Sequence, residues 1–308
     1  MSVIGIDTSN YTTSIAYFDG ENGVNCSRLL PVKPGELGLR QSDAVFAHTK
    51  SLPDLSGRLF SNAEAGKITA VGVSTRPRAV EGSYMPCFMV GYSHAKMLSD
   101  ALKVPLIEVS HQQGHVAASL WSAGHLELMD EPHLAWHLSG GTTELLLVEP
   151  DGLNVKCTKI GGTTDISAGQ LIDRTGVMLE LPFPAGKHID ALSKDATMKE
   201  TFKVKCPGME FSLSGVQNKV QQFHQKNGVP AETAAFALRC VAGAVYQATQ
   251  NALKSYPGLK VVFSGGVASN SMLREVIAPL NPIFCAPQYS TDNAMGVAVL
   301  TYRNTQEG

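Results

Sequence analysis

Two stretches far apart in this chain repeat one pattern, and that repetition constrains the fold more than any other feature. Val3 to Asp7 is apolar and β-branched, Thr8-Ser9-Asn10-Tyr11-Thr12-Thr13 is a polar turn, and Ser14 to Phe18 returns to strand character. Asp19-Gly20-Glu21-Asn22-Gly23 then turns the chain into a third strand over Val24 to Val32. Near the middle the order recurs: Leu134 to Leu138, Ser139-Gly140-Gly141-Thr142-Thr143, Glu144 to Glu149, Pro150-Asp151-Gly152, and Leu153 to Ile160. Short β-branched runs bounded by Gly, Asn and Asp read as hairpin strands. Two such units heading two halves imply a duplicated α/β architecture; two unrelated hairpins are the plainer alternative. Their turns have a chemical consequence, since glycine lets the backbone approach a ligand and N–H and hydroxyl groups can cradle phosphate.

Helical periodicity fills the spaces between the strands. Asp43 to Asn62 carries His48, Leu52, Leu55 and Leu59 on a helical repeat, Ile68 to Ser74 reads as a buried strand, Arg76-Pro77-Arg78 as a loop, and Met89 to Leu102 as a helix. The second half predicts helices over Ser167 to Leu179, Asp190 to Ser193, Val216 to about Gln225 and Thr233 to Ser255. Leu181-Pro182-Phe183-Pro184-Ala185-Gly186 breaks the first of these. Lys260 to Ser264 predicts a parallel strand running into Gly265-Gly266-Val267-Ala268-Ser269-Asn270, followed by a helix over Ser271 to Ile277. Such a strand-glycine-helix junction presents backbone amides at the carboxyl end of a strand, where open α/β sheets bind nucleotides. Together with Ser139-Gly140-Gly141-Thr142 it predicts two glycine turns, one from each half, facing one another across a cleft.

At 308 residues, 44% hydrophobic and 17% charged, the chain can bury one large core or two moderate ones. Its apolar runs fall short of the roughly 20 residues a membrane-spanning helix needs, and Met1 to Asp7 reads as a strand rather than a basic leader. A cytoplasmic location is the expectation. The six cysteines are widely spaced without a CxxC pair, so neither a zinc knuckle nor a disulfide framework is expected. Formal net charge is −2 and no dense Lys/Arg run exists beyond scattered residues such as Arg76, Arg78 and Lys96. A nucleic-acid substrate would therefore require a partner subunit or a patch assembled by the fold.

Metal chemistry enters at Val109-Ser110-His111-Gln112-Gln113-Gly114-His115, which follows an apolar strand-like run. On a helix, side chains at i and i+4 share a face with Cβ atoms roughly 5 to 6 Å apart, a spacing that suits two ligands of one ion. Gly114 between them weakens that helix, and a pair without function is the bland alternative. His133 and His137 have the same spacing but lie in the strand-like Pro132 to Leu138, where four residues span about 13 Å and cannot grip one ion. Near the C-terminus, Tyr289 to Gly296 places polar residues before a terminal helix reaching about Tyr302. Asp292 or Thr291 caps that helix, or Asp292 completes a two-histidine, one-carboxylate site of the kind that binds Fe or Zn with open positions.

With these residues in view, the chain resembles the TsaD family of tRNA threonylcarbamoyl transferases, formerly called glycoproteases. The likeness runs nearly end to end. It rests on Gly5-Ile6-Asp7-Thr8-Ser9 against the family's GIETS, His111-x-x-x-His115, and Ser139-Gly140-Gly141-Thr142-Thr143 against SGGHT. Phe211-Ser212-Leu213-Ser214-Gly215 against FSFSG, Gly265 to Asn270 against GGVxxN, and Thr291-Asp292-Asn293-Ala294 against TDNA complete it. The resemblance implies a duplicated actin-like ATPase fold (ASKHA, ribonuclease H-like) with two lobes and a central cleft. One lobe is expected over 1–105 plus 290–308 and the other over 106–289. It also implies a divalent metal, Fe or Zn, on His111, His115 and Asp292. An adenine nucleotide or threonylcarbamoyl-adenylate is implied on Leu138, Ser139, Gly140, Gly141, Thr142, Asp173, Gly186 and Asn270. The implied reaction moves threonylcarbamoyl from that adenylate to adenosine N6 in tRNA, with a TsaB-like paralogue and a TsaE-like ATPase as expected partners and no membrane.

Several residues depart from the family pattern. Where the family continues GIETS with Cys and two acidic residues, this chain has Asn10, Tyr11 and Thr12. The histidine of SGGHT is Thr142, and the glycine run before the first-lobe helix is replaced by Arg76-Pro77-Arg78-Ala79. These departures motivate an alternative: a catalytically reduced paralogue that binds nucleotide and metal as a scaffold or regulator. No catalytic base is assigned. A metallopeptidase is disfavoured because Gln112 occupies the place of the glutamate in His-Glu-x-x-His, and an amide cannot take a proton from water. A small-molecule kinase lacks an assignable carboxylate base.

Overall fold

The computed structural model describes residues 1–9, 11–31, 39–62 and 68–306. Asn10 and Val32, the proposed end of the third strand, lie outside the described residues. The chain divides into two compact units, the first comprising Met1–Glu131, Glu149–Cys157 and Asp292–Gly308, the second Pro132–Val148 and Thr158–Thr291.

In the first unit, β1 (Ser2–Ser9) and β2 (Thr12–Phe18) pair antiparallel with Ser9 opposite Thr12, so Thr8, Ser9, Thr12 and Thr13 of the expected polar turn belong to the strands. β3 (Gly23–Leu29) adds to β2, and the helix α1 (Gln41–Asn62) carries the chain to β4 (Ile68–Arg76), which lies parallel to β1. The helix α2 (Phe88–Leu102) leads to β5 (Leu106–Ser110), parallel to β4, and α3 (His111–Ser122) follows without a break. The sheet order is β3-β2-β1-β4-β5. Ile4, Ile6, Ile15, Val71 and Val73 of the sheet are buried with Leu52, Leu55 and Leu59 of α1 and with Val90 and Ala95 of α2.

The second unit repeats this plan. β6 (His133–Leu138), β7 (Thr143–Asp151) and β8 (Asn154–Thr163) are neighbours, and α4 (Ala168–Met178) and α5 (Gly186–Ser193) follow. The two-residue β9 (Glu210–Phe211) adds to the edge at β8. Helices α6 (Ser214–Asn227) and α7 (Pro230–Ser255) precede β10 (Val261–Ser264), which is parallel to β6, and α8 (Ser271–Ile277) leads to the short β11 (Ile283–Phe284). Trp136 is fully buried and its indole N–H donates to Thr249 Oγ1 at 2.9 Å, satisfying the one polar atom of a large core side chain. The order β8-β7-β6-β10-β11 matches β3-β2-β1-β4-β5 strand for strand. Duplication of a five-stranded mixed sheet is the ribonuclease H-like plan of the actin-like ATPase (ASKHA) fold, as expected. The short β9 and β11 have no counterpart in the sequence reading, because two residues are too few to show a period.

The chain ends in α9 (Met295–Gln306), which packs on α3 and on β1 and β4 of the first unit. Expected lobe boundaries at 105/106 and 289/290 are corrected by these contacts. β5 belongs to the first sheet through its pairing with β4, and α3 belongs with α9, so the first unit extends to Glu131 and resumes at Asp292. No helix among the described residues is long and apolar enough to cross a membrane.

Candidate metal centre

The centre is built where β5 gives way to α3. Ser110 keeps extended backbone, its hydroxyl accepts from Gln113 N–H at 3.3 Å, and the Gln113 amide oxygen accepts from Ser110 N–H at 2.9 Å. This reciprocal capping box satisfies two amides at the helix start. It fixes His111 as the first helical residue and places His115 one turn on, with Nε2 atoms 2.9 Å apart and ring centroids at 4.3 Å.

Asp292 arrives from the other end of the chain because Gly296 lets α9 approach α3. A side chain on Gly296 would collide with the Gly114 carbonyl, whereas one on Gly114 would meet Val297 at 3.4 Å, an ordinary contact. The close approach therefore rests on Gly296. Met295 N–H is received by Asn293 Oδ1 at 3.0 Å, so Asn293 serves the start of the terminal helix. Asp292 instead turns to the imidazoles, its Oδ1 lying 3.2 Å from His115 Nε2 and 3.6 Å from His111 Nε2.

These distances can be set against the needs of an ion. Bonds of about 2.1 Å at angles between a right angle and the tetrahedral one separate donor atoms by about 3.0 to 3.4 Å. The three observed separations, 2.9, 3.2 and 3.6 Å, lie close to that range, and the donors all fall within 4.8 Å of one another. The donor set, two imidazoles and a carboxylate, suits Zn or Fe(II). His111 and Asp292 side chains keep 20% and 28% exposure, so one side remains open for a further ligand. Among the described residues this is the one such cluster of three. His133 and His137 lie on β6, as the strand reading requires.

Asp7 supplies the outer support. It lies at the carboxyl end of β1, is 1% exposed, and its Oδ1 accepts from His111 Nδ1–H at 3.0 Å. Ser74 of β4 donates to the same oxygen, and Ser9 N–H reaches Oδ2 at 3.4 Å. Holding the proton on Nδ1 aims the Nε2 lone pair at the shared point, the usual arrangement behind a ligating histidine. Burial pushes the Asp7 carboxyl up, but the His111 charge and hydrogen bonds from His111 and Ser74 bring it below its ordinary value. Burial alone would lower His111; Asp7 and Asp292 overcome it and raise the imidazole to about 10. Asp292 is driven well below the carboxylate range, since hydrogen bonds and charge from both histidines outweigh its burial. A carboxylate-rich pocket that pulls protons onto imidazole is one into which a cation fits.

Two hydroxyls of the first turn are taken up by neighbouring elements. Thr8 Oγ1 donates to Cys87 O and receives Gly91 N–H, both at 3.0 Å, and Thr13 Oγ1 meets His48 Nδ1 at 2.8 Å. Tyr11 is partly exposed at the hairpin tip and Thr12 is buried in β2.

The residues expected to hold an adenylate all lie in the second unit. Ser139 N–H donates to Thr142 O at 2.8 Å, and Thr142 N–H returns to Ser139 Oγ at 3.1 Å, closing a turn whose Gly140 and Gly141 are exposed. Ser167 Oγ donates to Gly140 O at 2.6 Å. Gly265 has φ +92°, and a side chain there would strike the Leu138 carbonyl. The two glycine turns are therefore neighbours on adjacent strands of one unit, correcting the expectation that each comes from a different half. Asp173 Oδ1 accepts from Ala185 N–H at 2.8 Å, beside Gly186 at the start of α5. Burial raises the Asp173 pKa, opposed by that hydrogen bond. Asn270 caps α8 through Leu273 N–H at 3.0 Å and donates to Asp190 Oδ1 at 2.6 Å, which also receives Ser271 N–H at 2.8 Å.

Three contributions escaped the sequence reading: Asp7 behind His111, Asp190 behind Asn270, and Asp165. Ser212 and Ser214 of the Phe211-to-Gly215 motif donate to Asp165 together with Leu213 and Ser214 N–H. Burial opposes ionisation of Asp165, yet these donors lower it to about 2. Only the Ser110-x-x-Gln113 spacing left a signal, since it announces a helix starting at His111.

A family model described as TsaD, tRNA N6-adenosine threonylcarbamoyltransferase, matches residues 37–299. The tRNA N6-adenosine threonylcarbamoyltransferase of Carboxydothermus hydrogenoformans is 33% identical over 99% of this chain and 93% of its own length. That of a Sulfurihydrogenibium species is 32% identical over 100% of this chain and 91% of its own. Among solved structures, HypF of T. kodakarensis superposes with a TM-score of 0.64 at 13% identity, covering 99% of this chain and 48% of HypF, a likeness of fold alone.

Proposed function

We infer the activity from one premise: this chain belongs to the TsaD family of tRNA N6-adenosine threonylcarbamoyltransferases. The reaction proposed is transfer of threonylcarbamoyl from threonylcarbamoyl-adenylate to adenosine N6 in tRNA. The N6 amine attacks the carbamoyl carbon, the bond from that carbon to the phosphate oxygen breaks, AMP leaves, and the amine gives up a proton. His111, His115 and Asp292 are assigned to a divalent ion, Zn or Fe, which when bound supplies Lewis-acid polarisation of the carbonyl under attack. Asp7 keeps His111 in the tautomer that offers Nε2. In the second unit, the turn from Leu138 to Thr142 is assigned to the nucleotide together with Asp173, Gly186 and Asn270. There the amides of Gly140 and Gly141 can approach an anionic group because no side chain stands on them. Holding both reactants in place supplies much of the rate in such transfers.

A net charge of −2 leaves little electrostatic grip on RNA, so partner subunits, TsaB-like and TsaE-like, are proposed to share the tRNA. Action on tRNA supports a cytoplasmic location. The observation that carries this reading is the convergence of His111, His115 and Asp292, backed by Asp7, in a chain whose relatives bear that name.

The test is direct. Purified protein with threonylcarbamoyl-adenylate, unmodified tRNA and the partner subunits should yield threonylcarbamoyladenosine on nucleoside mass spectrometry, and His111→Ala should abolish it. Absence of product, under conditions where the Carboxydothermus relative turns over, would leave the chain a binding paralogue.

A further inference from the structure

The loop between β4 and α2 is one of the places where the sequence departs from the family pattern, and it lines an open groove. Its near end is tied to the metal helix: Gln112, the residue after His111, donates its N–H to Pro77 O at 3.0 Å. Its far end is clamped where Thr8 bonds Cys87 and Gly91. Between them the loop closes on itself, Arg78 N–H donating to Ser83 Oγ at 3.0 Å and Ser83 N–H to Val80 O at 3.2 Å, with Gly82 at φ +75°. The groove this leaves is open to solvent, measures about 400 Å³ and is lined by Arg76, Ala79, Val80, Glu81, Gly82 and Ser83. Val80 is 57% exposed and the adjoining Tyr84 64%.

We infer that this pocket receives one unstacked base of single-stranded RNA, a nucleotide beside the reactive adenosine. The inference rests on the transferase reading and names the place on this chain where its RNA substrate is gripped. A bare phosphate fits the lining poorly, because the Glu81 carboxylate stands in it with Arg76. A base edge carries acceptors for guanidinium N–H and an amino or imino donor for carboxylate, so the pair matches a base where it would not match an anion. Exposed Val80 and Tyr84 offer the face on which such a base stacks, the sequence-tolerant way proteins hold splayed nucleotides. Closure by its own hydrogen bonds means the loop is ordered before the ligand arrives, which spares affinity the cost of ordering it. The bond from Pro77 to Gln112 sets the captured nucleotide next to the helix that carries His111 and His115.

Steady-state kinetics of the chain with its partner subunits tests this, using Arg76→Ala, Glu81→Gln and Tyr84→Ala, with the distant exposed Arg28→Ala as control. Arg28, Glu81 and Tyr84 are exposed and Arg76 is half-buried at the end of β4, and unchanged melting and metal content verify folding. The expected result is a rise in KM for tRNA, about 5- to 100-fold for Tyr84→Ala. KM for the adenylate should stay within twofold of wild type, and Arg28→Ala should behave as wild type. A tRNA KM unmoved in all three variants, or an adenylate KM raised as much as that of tRNA, overturns the inference. Should the wild-type protein fail to turn over, fluorescence anisotropy with a labelled anticodon stem-loop still decides it. Binding that weakens in Tyr84→Ala and Glu81→Gln supports the pocket even as the transferase reading falls; absent or unaltered binding overturns it.

Discussion

Gly296 lies directly against the carbonyl of Gly114, and this contact between two residues without side chains is what delivers Asp292 to the histidines. Gly114 sits between His111 and His115 on α3, and Gly296 lies in the first turn of α9, just beyond Asp292. Gly296→Ala is expected to force the helices apart, costing about 1 to 3 kcal/mol in overpacking. Denaturant unfolding and metal analysis should show lower stability together with reduced bound metal. A variant that keeps full metal would show that the close approach does not position Asp292.

Asp7 bonds the centre through His111. Asp7→Asn keeps the size of the side chain but removes the charge that favours the imidazole, and outer partners of this kind contribute roughly 10- to 100-fold in metal affinity. Competition with a fluorescent chelator should show a loss of that order, with far-ultraviolet circular dichroism unchanged. Affinity within twofold of wild type would reduce Asp7 to a packing role.

Metal uptake should depend on pH in a direction fixed by His111. Without metal its pKa is raised to about 10, so at neutral pH both ring nitrogens carry protons, and binding through Nε2 must expel one. The Asp7 and Asp292 carboxylates, both lowered, are already ionised there and contribute no proton. Apparent affinity is therefore expected to rise by up to about tenfold per pH unit from about 7 to 9 and to level off as pH passes the raised pKa. In the metal-free protein the sign is opposite. The stabilisation from protonated His111 is complete below the ordinary imidazole value near 6.5 and is lost as pH rises through about 10. An indicator dye in weak buffer should register about one proton released per ion bound at pH 7.5; none released would contradict the assignment.

Local patterns made much of this molecule legible. The helix over Ser271 to Ile277 was readable to the residue, and both three-strand units were placed because β-branched runs and glycine turns are short-range signals. The histidine pair was distinguishable from His133 and His137 by the same logic, since element type decides whether four residues bring side chains together or carry them apart. What stayed hidden was long-range. Nothing near Asp7 announces a bond to a histidine 104 residues later, and nothing in the Ser212 and Ser214 motif reveals that its donors converge on Asp165. The lobe boundary at 105/106 failed for the same reason, because the pairing of β5 with β4 and the packing of α3 on α9 leave no mark in either segment alone.

Elemental analysis of the purified protein is the sharpest test of the centre. The wild-type chain should carry close to one equivalent of Zn or Fe, and His111→Ala, His115→Ala and Asp292→Ala should each strip it while the fold persists by circular dichroism. Metal retained at wild-type occupancy in all three variants would contradict the account.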